Sequence, residues 1–353
     1  MKCFPKQEII STALKMIEKE IQNLNETGTF EDLPIEGTLE ETHISWVIVG
    51  KSHVFKIKKP LKLSFLDFST LRQRKKFCER ELILNQRFSP IYLDVLPVRK
   101  LDDRWNIGED HGKIHDYAVH MKRLISSKRM DKLLKIKKVT SKDIQSLAQV
   151  ISSFHTHARK VRKPLHIEKA KSDFNDIVSV ASITQKYLGH KAAHQIKNSI
   201  QWSDKFLKAN IKRIHERIDR GFCRDVHGDL HSGNIFLYKN PILFDCVEFN
   251  DDYRRIDLIN EIAFFCMDLE ANGRADLSKL FIKSYQEHLD CFQTDADQRL
   301  INYYKCYRAN VRAKVHAISA EQEVGDEKSF KFHVRELRKY LRLMDRYINV
   351  TNQ

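Results

Sequence analysis

The sequence predicts an α+β protein with a small, antiparallel β-rich N-terminal lobe and a larger, mostly helical C-terminal lobe. Three observations predict it. Short apolar runs bounded by Gly and Pro occupy much of residues 43–124. From about residue 125 apolar residues recur at helical spacing. The helical pattern is interrupted once, at 223–250, by a β-rich insert that carries His227-Gly228-Asp229-Leu230-His231-Ser232-Gly233-Asn234. With 353 residues the chain is long enough for two domains or one large bilobal unit.

In chain order, residues 6–25 read as an amphipathic helix, with Ile9, Ile10, Ala13, Leu14, Ile17 and Ile21 at three-to-four spacing. A polar segment from Asn25 to Glu41 separates this helix from strand-like material. His43–Val49 and Val54–Lys58 flank Gly50-Lys51-Ser52-His53 as a hairpin, and Pro60 ends its second strand. Residues 70–88 form a helical run, followed by strand candidates near 91–99, 104–108 and 114–124. The remainder reads as helices at 141–160, 170–190, 192–219, 255–271, 275–290, 296–318 and 328–348. The expected domains are a helical extension over 1–37, a nucleotide-binding sheet and helix over 38–124, and a helical lobe with the catalytic loop over 125–353.

Composition narrows the function classes. No run approaches the roughly 18 uninterrupted apolar residues of a membrane span, so no membrane association is expected. The N-terminus has no apolar stretch of the kind that directs export. The seven cysteines are scattered and free of C-x-x-C spacing, which fits small buried hydrophobes in a reducing cytoplasm. The net charge of +15 is compatible with a polyanionic ligand such as a nucleotide. Nucleic acid is not favoured, because the basic clusters lack an RNP-like or zinc-finger pattern. Oligomeric state is not legible.

The motif supplies the chemistry. Asp229 and Asn234 are five residues apart, and Asp245 lies sixteen beyond Asp229. A kinase catalytic loop uses this spacing for a base Asp, a metal-binding Asn and then a second metal-binding Asp. Asn and Asp oxygens suit hard Mg²⁺ and leave positions for phosphate and water. His227 organises the loop, and His231 either touches substrate or is solvated. Phosphoryl transfer also needs a cation facing the phosphates. Lys56 and Lys58 alternate on one strand and share a face, so either is placed to serve. Glu79 and Glu81 on the following helix compete to brace that lysine. His155 and His157 face different ways on their helix, so a satisfied structural histidine is expected at 155 rather than a metal pair. Gly50-Lys51-Ser52 mimics the end of a Walker A loop, but Ser45 stands where its first Gly belongs and the segment joins two strands.

At these residues the chain resembles the aminoglycoside phosphotransferase-like branch of the protein-kinase-like superfamily. His227-Gly228-Asp229-Leu230 through Asn234-Ile235-Phe236 is similar to its catalytic loop, and Asp245 to its metal-binding Asp, without a following Phe-Gly. The resemblance favours Lys56 over Lys58 and Glu81 over Glu79. It puts adenine-gripping hinge positions at Met121, Lys122 and Leu124, and makes Asp257 a structural brace of the catalytic loop. Phe65-Leu66-Asp67-Phe68-Ser69 and Tyr307-Arg308-Ala309-Asn310-Val311-Arg312-Ala313-Lys314 resemble an uncharacterised bacterial subgroup. Some of its longer members add a C-terminal P-loop ATPase domain, and this chain ends without one. The resemblance covers about residues 38–320 and implies a bilobal protein-kinase-like fold.

It further implies an ATP- and Mg²⁺-dependent phosphotransferase acting on a small-molecule hydroxyl, with Asp229 as base, Asn234 and Asp245 on metal, and Lys56 on phosphate. Drug-modifying relatives use an acidic pocket for polycationic drugs, an acceptor that a +15 chain makes less attractive. A protein kinase is the nearest rival, weakened because Arg254 comes nine positions after Asp245, too few for a long activation loop. A non-catalytic nucleotide-sensing or RNA-associated module is the rival of another class, and it would not need the base Asp229.

Overall fold

A computed structural model describes residues 16–63 and 66–352. They form two compact units. Of the described residues, one holds those up to Arg129 together with Ile242–Asp251, and the other holds Met130–Pro241 and those from Asp252 onward.

The first unit is built on one sheet. Helix α1 (Glu18–Thr27) precedes β1 (Thr29–Phe30), β2 (Leu33–Pro34), β3 (Thr38–Glu41), β4 (Ser45–Val49) and β5 (His53–Lys58). The small hairpin β6 (Lys62–Leu63) and β7 (Leu66–Asp67) leads to α2 (Leu71–Asn85), then β8 (Tyr92–Leu101), β9 (Arg104–Ile107) and β10 (Lys113–Lys122). Strand order is β2-β1-β9-β8-β10-β5-β4-β3, antiparallel apart from the β1–β9 pair. α2 packs on β8 and β10, and Arg74 ties it to β10 through a fully buried ion pair with Asp116 at 2.9 Å. Ile21 and Leu24 of α1 join Ile48, Phe55, Ile57 and Trp105 in the core on this sheet.

Two expectations change here. The helix read at 6–25 is described only as Glu18–Thr27, and Ile9, Ile10, Ala13 and Leu14 lie outside the described residues. The supposed polar spacer at 25–41 contains three strands. Its first hairpin turns on Glu31 and Asp32, both at positive φ (51° and 61°), so the chain makes a tight two-residue turn without the Asn-Gly or Asp-Gly that would announce it.

The second unit is mostly helical: α3 (Met130–Lys135), α4 (Ser141–His157), α5 (Ile167–Asn175), α6 (Ala181–Leu188), α7 (His190–Asp219), α8 (Leu258–Ala271), α9 (Ala275–His288), α10 (Asp295–Gln322) and α11 (Glu327–Thr351). Amphipathic faces of α7, α10 and α11 meet over Phe206, Leu207, Tyr303, Cys306, Leu341 and Met344. The 170–190 helix divides at the 3₁₀ segment Asp176–Val180. The supposed β-rich insert is mainly loop, with strands of two or three residues at Cys223–Asp225, Ile235–Phe236 and Ile242–Leu243. Residues 255–257 are strand rather than helix, pairing with Cys223–Asp225. The reason is local: the Asp257 carboxylate accepts from the Ile259 N–H at 2.7 Å and starts α8 one residue later.

Candidate active site

In the β-rich unit the polar residues gather around two lysines of β5. That strand is flanked by β4 and β10, so an edge-strand role for its charges is removed. Lys56 and Lys58, two residues apart, both reach the buried Glu81: Lys56 Nζ donates to Oε1 at 2.8 Å and Lys58 Nζ to Oε2 at 2.7 Å. Glu79 instead lies on the surface beside Lys75. Lys56 makes a second bond, to Asp245 Oδ1 at 2.6 Å. Lys58 makes its second bond to Glu248, a buried residue that sequence reasoning missed. Its only signal was its place three residues after Asp245. Lys58 is 1% exposed, against 12% for Lys56 and 43% for Asp245.

Backbone geometry presents Asp245. Its φ of 62° lies in the left-handed region. Its N–H donates to the Tyr92 hydroxyl at 3.0 Å, and the next N–H, of Cys246, donates to Asn85 Oδ1 at 2.8 Å. Burial alone would raise the Glu81 pKa, but Lys56 and Lys58 override it and hold the carboxyl near 2. Burial likewise opposes the charge on Lys56, and Asp245 with Glu81 restores it to well above the ordinary lysine value. With all five groups ionised, two lysines face three carboxylates. Asp245 is the most exposed of the five.

In the helical unit the loop after Cys223–Asp225 is held by its own backbone. The N–H groups of His227 and Gly228 both donate to the buried Glu261 of α8, at 2.9 Å and 3.1–3.2 Å. The Gly228 carbonyl accepts from Arg308 at 3.3 Å, and Gly228 itself sits at φ 85°. Asp257, expected to brace this loop, spends its carboxylate on Arg217 (2.7 and 2.8 Å) and on the start of α8. It therefore positions the helix that carries Glu261. Glu261 lies four residues beyond Asp257, one helical turn, and sequence reading took it only as part of the downstream motif.

Asp229 Oδ2 accepts from Asn234 Nδ2 at 3.1 Å and lies 3.4 Å from His231 Nε2. Asn234 Nδ2 also donates to the Asp229 carbonyl at 3.0 Å, so both of these bonds run through the amide nitrogen. His231 accepts the Gly233 N–H on Nδ1 at 3.0 Å, so its neutral form carries the proton on Nε2, toward Asp229. A Cβ on Gly233 would come within 2.7 Å of that ring, so any other residue there would have to displace His231. His227 is buried, and its Nδ1 faces the Asp229 N–H at 3.4 Å, an organising contact. Burial would raise the Asp229 pKa, but His231, His227 and Arg312 hold it well below the carboxylate range. Glu261 is different: burial outweighs Arg308 and the two amides and lifts it to about 7.

The other predicted residues are placed as follows. Met121 is buried in β10, whereas Lys122 is exposed and gives its N–H to the Ile91 carbonyl at 2.9 Å. Leu124 packs with Cys78, Ile91 and Met121. His155 is buried, with Nδ1 2.7 Å from the Tyr285 hydroxyl, and burial with Arg224 and His227 lowers it to about 3. It is a structural histidine. Lys51 of the Walker-like segment pairs with Glu36 on the surface. Among the described residues the cysteines are free and buried, and no helix is long and apolar enough to cross a membrane.

No family model matches the chain. An uncharacterized protein of Mycobacterium bovis and two of Mycobacterium tuberculosis are each 29% identical over 290 residues, which cover 80% of this chain and 55% of theirs. The chain thus spans about half the length of the curated relatives it matches. A choline/ethanolamine kinase family protein from Mesorhizobium loti superposes with a TM-score of 0.54 at 8% identity, over 95% of this chain and 99% of that one. Choline kinase from Cryptosporidium parvum gives 0.54 at 13% identity, over 91% and 92%. At these identities what is shared is architecture, and the chain has the protein-kinase-like fold of the choline/ethanolamine kinases.

Proposed function

We propose that the protein is an ATP- and Mg²⁺-dependent phosphotransferase that moves the γ-phosphoryl group to a hydroxyl of a small molecule. The observation that carries this reading is the double engagement of Lys56, bonded to the buried Glu81 at 2.8 Å and to the exposed Asp245 at 2.6 Å. Phosphoryl transfer is mainly positioning and charge neutralisation. Glu81 fixes the ammonium, and Lys56 holds phosphate oxygens. Asn234 and Asp245 are the residues that would hold Mg²⁺, which would neutralise phosphate charge. Lys58, buried between Glu81 and Glu248, holds Glu81 rather than phosphate.

Asp229 receives the acceptor. Its Oδ2 is occupied by Asn234 and His231, so Oδ1 accepts the hydroxyl proton as the acceptor oxygen attacks phosphorus. The new P–O bond forms while the bridging P–O bond breaks, and its electron pair leaves with ADP. Glu261 keeps the loop in register, and His227 aligns the Asp229 backbone. The decisive experiment measures ATP hydrolysis and phosphoryl transfer by wild type and Asp229→Ala, with a metabolite extract and labelled ATP. The expected loss in kcat is roughly 10²- to 10⁴-fold for removal of a positioned base. ATP binding without transfer to any acceptor or to water would sink the reading.

A further inference from the structure

The Tyr307–Lys314 motif lies on α10 and turns a row of cations to one face: Lys305, Arg308 and Arg312, then His316, at three- and four-residue spacing. Lys305 is satisfied by Glu270 at 2.7 Å. Arg308 is satisfied by Asn260 Oδ1 at 2.9 Å and the Gly228 carbonyl, and its guanidinium stacks on Phe264. Arg312 is the exception. Among the described residues no carboxylate oxygen lies within the 4.0 Å of an ion pair with it.

Its guanidinium is nonetheless held. It lies over the Tyr340 ring at 5.8 Å, and an N–H of NH2 faces His316 Nε2 at 3.4 Å. Arginine only donates, so His316 accepts on Nε2 and carries its own proton on Nδ1. That proton faces His333 Nδ1 at 2.9 Å, and His333 Nε2 then faces Glu323 at 3.3 Å. Burial, with Arg312, His333 and Lys339, lowers His316 to about 2, so the chain stays neutral at this link. The His316 ring stacks on Tyr340 at 5.5 Å and 10°. Four groups thus orient Arg312, yet none in contact cancels its charge. It lies one helical turn beyond Arg308, which bonds the Gly228 carbonyl next to Asp229, and the charges of Asp268 and Asp229 act on it from beyond ion-pair distance. Asp268, which accepts the Ser232 N–H at 2.9 Å, marks the same region.

We propose that Arg312 is an anion subsite for the acceptor: the compound phosphorylated at Asp229 carries a carboxylate or phosphate group beside its hydroxyl, received by the planar guanidinium fork. This rests on the phosphotransferase reading. The transfer step is unchanged: the hydroxyl oxygen bonds to phosphorus, ADP leaves with the electron pair, and Asp229 Oδ1 takes the proton.

Four acceptors on one carbon frame test it: glycerol, glycerate, glycerol phosphate and 3-amino-1,2-propanediol. Wild type is expected to favour glycerate or glycerol phosphate, and the comparison of those two separates carboxylate from phosphate. Arg312→Gln is expected to raise KM for the preferred anion roughly 10- to 100-fold, the worth of a charge-assisted bond, with Arg312→Lys recovering part. Equal loss towards all four acceptors, or preference for glycerol or the amine, overturns the proposal. A readout independent of turnover is phenylglyoxal labelling of Arg312, followed by peptide mass spectrometry on wild type and Asp229→Ala. Glycerate or inorganic phosphate is expected to slow labelling several-fold. No protection by either anion overturns the subsite even if phosphate is transferred. Protection without transfer to any acceptor keeps the subsite and removes the phosphotransferase reading instead.

Discussion

The two units hold their candidate-site carboxylates Glu81 and Glu261 in opposite ways. In the β-rich unit charge meets charge: Lys56 and Lys58 share Glu81, with Asp245 and Glu248 completing the set. In the helical unit the carboxylate under the 227–234 loop, Glu261, meets the His227 and Gly228 amides, with Arg308 the cation that acts on it. The first arrangement holds Glu81 near 2 and Lys56 well above the ordinary lysine value, while burial raises Glu248. The second leaves a group near 7 directly beneath the proposed base. Ion pairing therefore keeps Lys56 and Glu81 charged through the neutral range, while amide bonding leaves Glu261 responsive to pH.

The largest effect that would break this contrast lies in the two lysines. Lys58→Ala leaves Glu248 buried without its bonded cation and Glu81 with Lys56 alone, and removing one partner of a buried pair costs about 3–5 kcal/mol. Thermal or denaturant unfolding reads it. Lys56→Ala should instead act on rate, by roughly 10²- to 10³-fold in kcat, as expected for a charge aimed at the reacting phosphates. Its effect on stability should be smaller, because Lys58 still holds Glu81. If the two variants exchange these outcomes, Lys58 is the phosphate ligand and the assignment of roles is wrong.

Next in size is Glu261→Gln. Folded Glu261 keeps its proton up to about pH 7, against an ordinary value of 4.5, so the native state binds more protons than the unfolded chain across that window. This group's contribution to stability therefore falls as pH rises from 4.5 to 7 and is constant above. Glutamine abolishes the slope and leaves one amide donor of the loop without a good acceptor, at about 1–3 kcal/mol. Asp229 and Glu81 behave oppositely: their depressed values give stability that is present above the ordinary carboxylate range and lost on acidification through the folded values. An acid limb in the kcat profile near pH 7 that survives Glu261→Gln would remove Glu261 as its source.

The contrast also explains what was legible beforehand. Asp229, Asn234, Asp245, Lys56 and Glu81 stand at fixed spacings in short segments, so local sequence exposed them. Glu248 and Glu261 act across the fold, and one buried Glu among the chain's acids carries no periodic mark until its partner is known. The long helices announced themselves through apolar period. β1 and β2 did not, because two-residue strands have no period and the Glu31-Asp32 turn contains no glycine. Asp257 was legible as a motif position, but its effect on the loop runs through Arg217 and the start of α8, a connection that only three-dimensional packing reveals.

The smallest effect concerns Lys51. In a Walker A loop the lysine follows a glycine-rich turn into a helix, where backbone amides and the ammonium surround phosphate together. Here Lys51 is at the turn between β4 and β5, with Gly50 its only glycine and the Gly50 N–H bonded to the His53 carbonyl at 2.9 Å. The side chain is 84% exposed and its partner Glu36 is 57% exposed at 3.1 Å, a surface pair of the kind that contributes about 0–1 kcal/mol. Lys51→Ala should accordingly change ATP affinity less than about twofold, since an exposed and screened charge at this distance from a fixed partner loses little when removed. Isothermal titration with a non-hydrolysable ATP analogue and Mg²⁺, run beside Lys56→Ala, gives the comparison. A loss for Lys51→Ala as large as that for Lys56→Ala would move the phosphate contact from β5 to the turn.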